Sequence, residues 1–274
     1  MKYFIRKLAY IVILIISFFS LGMSVVAEKL NFPVSPITSN SQRHDIKSYF
    51  DLRVKPGNKE ILQVELENHS DKDMIILANA NTVVTNDNIT ADYSQHDPEI
   101  NHTLKHSFSD MAQVKPEIPL KAREKRVIDI PVDVPSEPFN DIILGGLEFQ
   151  QKPTEDMDLD TGSLLIENNF AFVIGVRLSE NDDKVPVKID LLNVRAGQRN
   201  YRNTVLVTFE NPEPRILPDV EIESFIYSEK DVEEALYYDK IEHADIAPNS
   251  SFDYGISLNN DTYKPGKYIL KTMV

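Results

Sequence analysis

The stretch Leu62-Gln63-Val64-Glu65-Leu66-Glu67-Asn68 decides the fold. Its apolar residues fall at every second position and alternate with Gln63, Glu65 and Glu67, so one face is built to be buried and the other to meet water. That is the pattern of an antiparallel strand packed on one side. Val127–Val134, Val205–Phe209, Val220–Tyr227 and Phe252–Leu258 behave similarly, and helical periodicity is almost absent. Met74–Leu77 and Phe170–Leu178 are more continuously apolar and suit central strands, while Thr85-Asn86-Asp87-Asn88 between apolar runs predicts a turn. Pro131 inside a strand-like run places that strand at a sheet edge. One short helix is expected within Glu99–Val114, where Leu104, Phe108 and Met111 have helix-like spacing, with an irregular loop as the alternative.

The class is therefore all-β. A coarse internal match suggests two similar units: Leu62 to Asn68 has a counterpart in Val205-Leu206-Val207-Thr208-Phe209-Glu210-Asn211, each an alternating strand ending in Glu-Asn. Lys55-Pro56-Gly57 and Lys264-Pro265-Gly266 likewise each precede a strand. Duplication and convergence on turn chemistry both account for such short matches. Either way the strands fill two consecutive antiparallel β-sandwich domains. The polar run Asn181-Asp182-Asp183-Lys184 before Pro186 is the expected boundary, dividing 28–181 from 182–274. Gln150–Gly162 is rich in acid and lies between Leu144–Phe149 and Phe170–Leu178; if those two pair as the last hairpin of the first domain, it is an exposed loop and not a linker.

The N-terminus carries Lys2, Arg6 and Lys7, an apolar run from Leu8 to Leu21 and then Val25-Val26-Ala27, which reads as a secretory signal over residues 1–27. An uncleaved anchor is the alternative, but the run is nearer a signal core than a span of ~20 residues. Later apolar stretches are all broken by charge or proline, so no membrane anchor is expected in the chain after signal cleavage. Removing the signal's three basic residues leaves 26 Lys and Arg against 43 Asp and Glu, a net charge of −17. Nucleic acid and anionic lipid would be repelled by that charge and are poor bulk partners. The absence of cysteine removes disulfides, thiolate nucleophiles and cysteine-ligated metals, and leaves stability to the cores.

No phosphate loop, nucleophile elbow or His-Glu-x-x-His helix occurs. His96, His102 and His106 with Asp97 and Asp110 form the one constellation suited to a metal, and His102 and His106 would share a helical face if that segment were helical. A solvated histidine-containing loop is the plainer reading. Asp182-Asp183, Asp71 with Asp73, and Glu233-Glu234 lack calcium-loop spacing and read as solvated acidic surface. Asn68-His69-Ser70, Asn88-Ile89-Thr90, Asn101-His102-Thr103 and Asn249-Ser250-Ser251 match a glycosylation acceptor, a motif common in Asn-rich turns. Gly145-Gly146 inside the run Ile142–Phe149 points to a bulge or a close neighbour. Without tryptophan, any glycan contact falls to tyrosine or phenylalanine with polar side chains. No catalytic, cofactor-binding or metal-ligating residue is assigned, and the ligand-binding residues are open.

Tyr49-Phe50-Asp51-Leu52-Arg53-Val54-Lys55-Pro56-Gly57, the strand ending Glu65-Leu66-Glu67-Asn68-His69-Ser70, the Gly145-Gly146 strand, Ala247–Tyr254 and Leu258–Tyr268 together resemble the WxL-interacting proteins of Gram-positive bacterial surfaces. The resemblance implies an N-terminal peptidoglycan-binding domain of immunoglobulin-like fold, then a host-binding domain implicated in attachment to extracellular matrix. It also implies association with WxL-domain surface proteins. The family's pattern continues through a final strand, a membrane-spanning helix and a basic tail, whereas these residues end at Met273-Val274. The second domain is thus expected to be C-terminally short, with an open edge at Lys267–Met273. Three functions compete on the sequence: a non-enzymatic wall-bound interaction protein, a chaperone-like assembly factor acting by strand complementation, and a metal hydrolase using the histidines. The first is the leading expectation.

Overall fold

A computed structural model describes residues 32–153 and 170–274. The segment 1–27, expected to be a secretory signal, and most of the acidic stretch up to Gly162 lie outside the described residues. The first sandwich has one sheet of β1 (Val34–Ile37), β3 (Lys59–Glu67) and β8 (Lys125–Asp133), in the order β1-β3-β8. Its other sheet runs β2-β10-β9-β4-β7, made of β2 (Phe50–Arg53), β10 (Ala171–Ser179), β9 (Ile143–Gln151), β4 (Met74–Thr82) and β7 (Glu117–Leu120).

The alternation read from sequence is what closes this core. Leu62, Val64 and Leu66 of β3 are fully buried, while their neighbour Ile61 is 54% exposed. They pack in one cluster with Ile76, Phe149, Val176 and Leu178 from the facing sheet. β4 and β10 are interior strands of their sheet, as their continuous apolarity suggests, and β9 and β10 pair antiparallel with Gln150 opposite Ala171. β8 does end its sheet, and the carbonyl of its Pro131 accepts the Gln113 N–H at 2.8 Å.

The expected helix shrinks to one turn, α1 (Phe108–Met111), whose Phe108 and Met111 enter the core. His102 and His106 are not on it. The preceding segment is held as a turn because the Asn101 side chain accepts the Thr103 N–H and hydroxyl, a local bond that competes with helix.

The second sandwich pairs β11 (Asp190–Arg199), β12 (Arg202–Asn211) and β15 (Ser250–Ser257) against β14 (Tyr237–Ile246), β13 (Leu217–Ser228) and β16 (Tyr268–Met273), in the orders β11-β12-β15 and β14-β13-β16. β11 and β12 meet through Asn200 and Tyr201, both at positive φ, as a two-residue hairpin loop demands. β16 lies at a sheet edge, and in the first sandwich the strand with the same neighbour relations, β9, is flanked by β10.

The strand orders make β3 and β12 equivalent, and their terminal asparagines do the same work. Asn68 donates to the carbonyls of Lys72 and Lys121 and accepts from Ser70 N–H; Asn211 donates to those of Arg215 and Ala247 and accepts from Glu213 N–H. Each asparagine ties its strand end to the turn entering the neighbouring strand. The Lys-Pro-Gly match has no such basis: Gly57 precedes β3 at φ +72°, whereas Gly266 precedes β16 and is not at positive φ. That match is convergence on turn composition.

A small hairpin fastens the sandwiches together. β5 (Val84–Thr85) and β6 (Ala91–Asp92) flank the predicted turn at Asn86, and Ile89 at its tip is 2% exposed within the core of the second sandwich, beside residues such as Phe209 and Ile246. The Thr85 N–H donates to Ser250 Oγ, Ala247 N–H to Thr85 Oγ1, and Asp245 N–H to the Ile89 carbonyl. Phe32–Val274 accordingly forms one compact unit.

Candidate functional site

The outward face of the five-stranded sheet carries the site. In β10 the inward residues Ile174, Val176 and Leu178 alternate with Val173, Gly175 and Arg177. Gly175 stands opposite Gly146 of β9, and Arg177 opposite Asp51 of β2. A Cβ on Gly146 would lie 2.2 Å from the Tyr93 carbonyl oxygen, and one on Gly145 would strike the Phe108 ring. The glycine pair singled out in the sequence is thus required by two close neighbours, one on each face of the sheet.

Asn81 fixes the crossing segment, donating to the Tyr93 carbonyl and to Glu148 Oε2, and Glu148 also meets His96 Nε2 at 2.5 Å. Tyr93 is thereby held over the sheet next to Gly175, across from Tyr49. The result is a cleft of about 800 Å³ bordered by Tyr49, Tyr93, Asp92, Gly175, Arg177 and, from the second sandwich, Ile216.

Burial pushes the Tyr93 hydroxyl pKa upward, helped by the charge of Asp245, so Tyr93 stays neutral. Burial raises the Asp92 carboxyl, but N–H and hydroxyl bonds from Ser94 and an amide bond from Asn86 outweigh it and hold the group below its ordinary value. Arg177 makes no hydrogen bond through Nε, which lies 3.9 Å from buried Asp51 Oδ1, and its side chain is 38% exposed. Arg43 approaches the same Asp51 oxygen at 3.7 Å, and both Arg43 and Arg53 pair with Asp182 at 2.5 Å. Arg43, Arg53 and Arg177 thus gather at one corner of the cleft around Asp51 and Asp182.

The metal constellation is not assembled. His96 bonds Glu148, His102 Nδ1 lies 3.7 Å from Glu210, and no cluster of metal-ligating residues occurs among the described residues. The acidic pairs are partly engaged, with Asp71 on Arg123, Asp73 on Lys121 and Asp182 on its arginines. The basic run Lys121, Arg123, Lys125 and Arg126 is matched by Asp73, Asp71, Glu65 with Glu67, and Glu124, so it forms no net positive patch. Three acceptor-motif asparagines spend their amides internally: Asn68 as above, Asn101 on Glu210 and Ser251, and Asn249 on Thr103 and Pro212. Sequence reasoning missed Gly175, although a glycine inside the apolar run Phe170–Leu178 was the signal available.

These features define a tandem β-sandwich protein with an aromatic cleft where its two domains meet. The chain belongs to the WxL-interacting protein family: the family's peptidoglycan binding domain matches residues 32–151 and its host binding domain residues 161–274. The second match begins ahead of β10, which hydrogen-bonds within the first sandwich. No curated protein matches the chain. Among solved structures, the class 5 fimbriae chaperone CfaA is similar over 89% of this chain and 99% of its own, at 16% identity and a TM-score of 0.36. The YadV chaperone is similar over 88% and 91%, at 11% identity and a TM-score of 0.34. PapD-like domain 7 of human CEP192 is similar over 56% and 87%, at 10% identity and a TM-score of 0.33. Peptidoglycan-binding and host-binding domains belong to a cell-surface protein, and no helix among the described residues is long and apolar enough to cross a membrane.

Proposed function

We propose that this chain is a non-enzymatic binding protein, exported through residues 1–27, that attaches to peptidoglycan through its first sandwich (28–181). Its second sandwich (182–274) faces host extracellular-matrix ligands, and the whole associates with WxL-domain surface proteins. The observation that carries this reading is the order of the two family domains along one chain. The proposed boundary is Asn181–Lys184, a reading supported by its position after β10 (ending at Ser179) and before β11 (starting at Asp190).

The mature charge of −17 opposes approach to a wall rich in anionic polymers, and the basic run that might have offset it is paired. Retention then rests on short-range hydrogen bonds and packing. Because Ile89 seats in the second core, the test uses the whole mature chain, residues 28–274, co-sedimented with purified wall sacculi across a salt series. Binding that persists or strengthens modestly with salt is expected, as screening weakens repulsion. No sedimentation at any salt overturns the wall assignment, and binding that collapses with salt overturns the short-range account. Strand complementation remains the second reading, favoured by Arg177 as a basic residue in the cleft; it requires a partner that is unstable alone.

A further inference from the structure

We propose that the slot over Gly175, between Tyr49 and Tyr93, receives a sugar ring of a muropeptide and that Arg177 receives a carboxylate on that ligand. The inference rests on the wall-binding reading above and names its site.

The slot exists because one strand residue has no side chain. A Cβ on Gly175 would lie 3.6 Å from Tyr93 Cε1 and 3.8 Å from Tyr49 Cβ, ordinary contact on both sides. The two tyrosines thus flank the position a Gly175 side chain would fill, at the floor of the cleft of about 800 Å³ that a ring could enter. Gly146, the cross-strand partner, is already covered by the Tyr93 backbone, whereas a Cβ on Gly175 would meet nothing closer than ordinary contact. Tyrosine supplies an apolar face and a polar tip, which suits a ring with one hydrophobic side and hydroxyl edges.

At one end of the slot the polar group is a guanidinium. Arg177 has no hydrogen bond to any described residue, while its neighbour Asp51 is shared with Arg43 at a similar distance. An arginine so placed is ready for a carboxylate, which it binds by charge-assisted hydrogen bonds. Asp92, kept ionised by Ser94 and Asn86, provides an acceptor for ring hydroxyls. The chemical class is therefore a glycan unit bearing an acid, as a muramic acid with its stem peptide is, and a neutral oligosaccharide would use only part of the site.

The test uses residues 28–274 in four forms: unaltered, Gly175→Val, Arg177→Gln, and Gly175→Ala as a second floor variant because its methyl meets nothing closer than 3.6 Å. Thermal melts establish that each is folded. Affinity is measured by calorimetry for a soluble disaccharide-peptide muropeptide, for the tetramer of N-acetylglucosamine, and for an unrelated peptide with a free C-terminus; sacculus co-sedimentation runs in parallel. Expected are muropeptide binding that falls at least tenfold in Gly175→Val and measurably in Gly175→Ala. Arg177→Gln should bind the muropeptide no better than the neutral tetramer. Unaltered protein that sediments with sacculi, alongside folded variants that do so equally well and bind the muropeptide equally well, overturns the slot and leaves the wall reading standing. Unaltered protein that fails to sediment overturns both. Binding of the free C-terminal peptide alone, lost in Arg177→Gln, overturns the glycan assignment in favour of strand complementation.

Discussion

Ile89 offers the sharpest test of how the two sandwiches are joined. It is a β-branched residue at φ +56°, buried in a core built by the other domain. The left-handed backbone costs about 1–2 kcal/mol for a residue with a Cβ, and burial of the side chain more than offsets it. Ile89→Ala removes the plug and keeps the backbone cost, so the loss should be about 2–5 kcal/mol, the range for truncating a buried isoleucine. Ile89→Gly removes the same contacts but also the backbone penalty. In an ordinary strand glycine is less stable than alanine by about 0.5–1 kcal/mol; here the order should level or reverse. Urea unfolding followed by tyrosine fluorescence and by circular dichroism measures both variants. Calorimetry of Ile89→Asp should in addition split one transition into two, since a carboxylate expelled from the second core uncouples the sandwiches. Alanine more stable than glycine by 0.5 kcal/mol or more would refute the strained-backbone argument, on the scale of that usual preference. An unsplit, unshifted transition in Ile89→Asp would refute the plug.

Asn211→Ala should cost more than Asn68→Ala, because Asn211 donates to the fully buried Ala247 carbonyl while the Lys72 and Lys121 partners of Asn68 are exposed and can turn to water; about 1–3 kcal/mol per stranded buried group is expected in urea titrations, and equal losses would contradict this. Gly145→Ala and Gly146→Ala should each lower the melting point, as overpacking typically costs about 1–3 kcal/mol, whereas Gly175→Ala should leave it nearly unchanged; equal effects at all three would undo the neighbour assignment. The Asp253 carboxyl is held low chiefly by Arg195, with Thr208 assisting, so it contributes stability that is complete above the unfolded carboxylate range and lost as pH falls through the lower folded value. Asp253→Asn should therefore flatten the acid limb of a stability–pH curve, and an unchanged limb would show the pair to be inert. His243, with its pKa raised by Asp219, should titrate by NMR above an ordinary histidine, and Asp219→Asn should bring it back.

Period-two alternation is a local property, so the strands, the all-β class and the two-sandwich architecture could be read from runs such as Leu62–Asn68 alone. The repeat between Leu62–Asn68 and Val205–Asn211 was legible as composition, but its meaning needed the structure. Both asparagines close the same turn, whereas the Lys-Pro-Gly pair precedes strands that are not equivalent. The short helix within Glu99–Val114 is confined to Phe108–Met111 because side-chain bonds at Asn101 hold the segment before it as a turn, and with that went the reason to group His102 and His106. The cleft was beyond reach of the sequence. Tyr49 and Arg177 meet because β2 lies parallel to β10, and Tyr93 joins them only because Asn81 carries its segment across Gly146. Strand identity depends on neighbours in the chain, but a site on a sheet face depends on which distant strands become neighbours in space, and that is decided by tertiary packing.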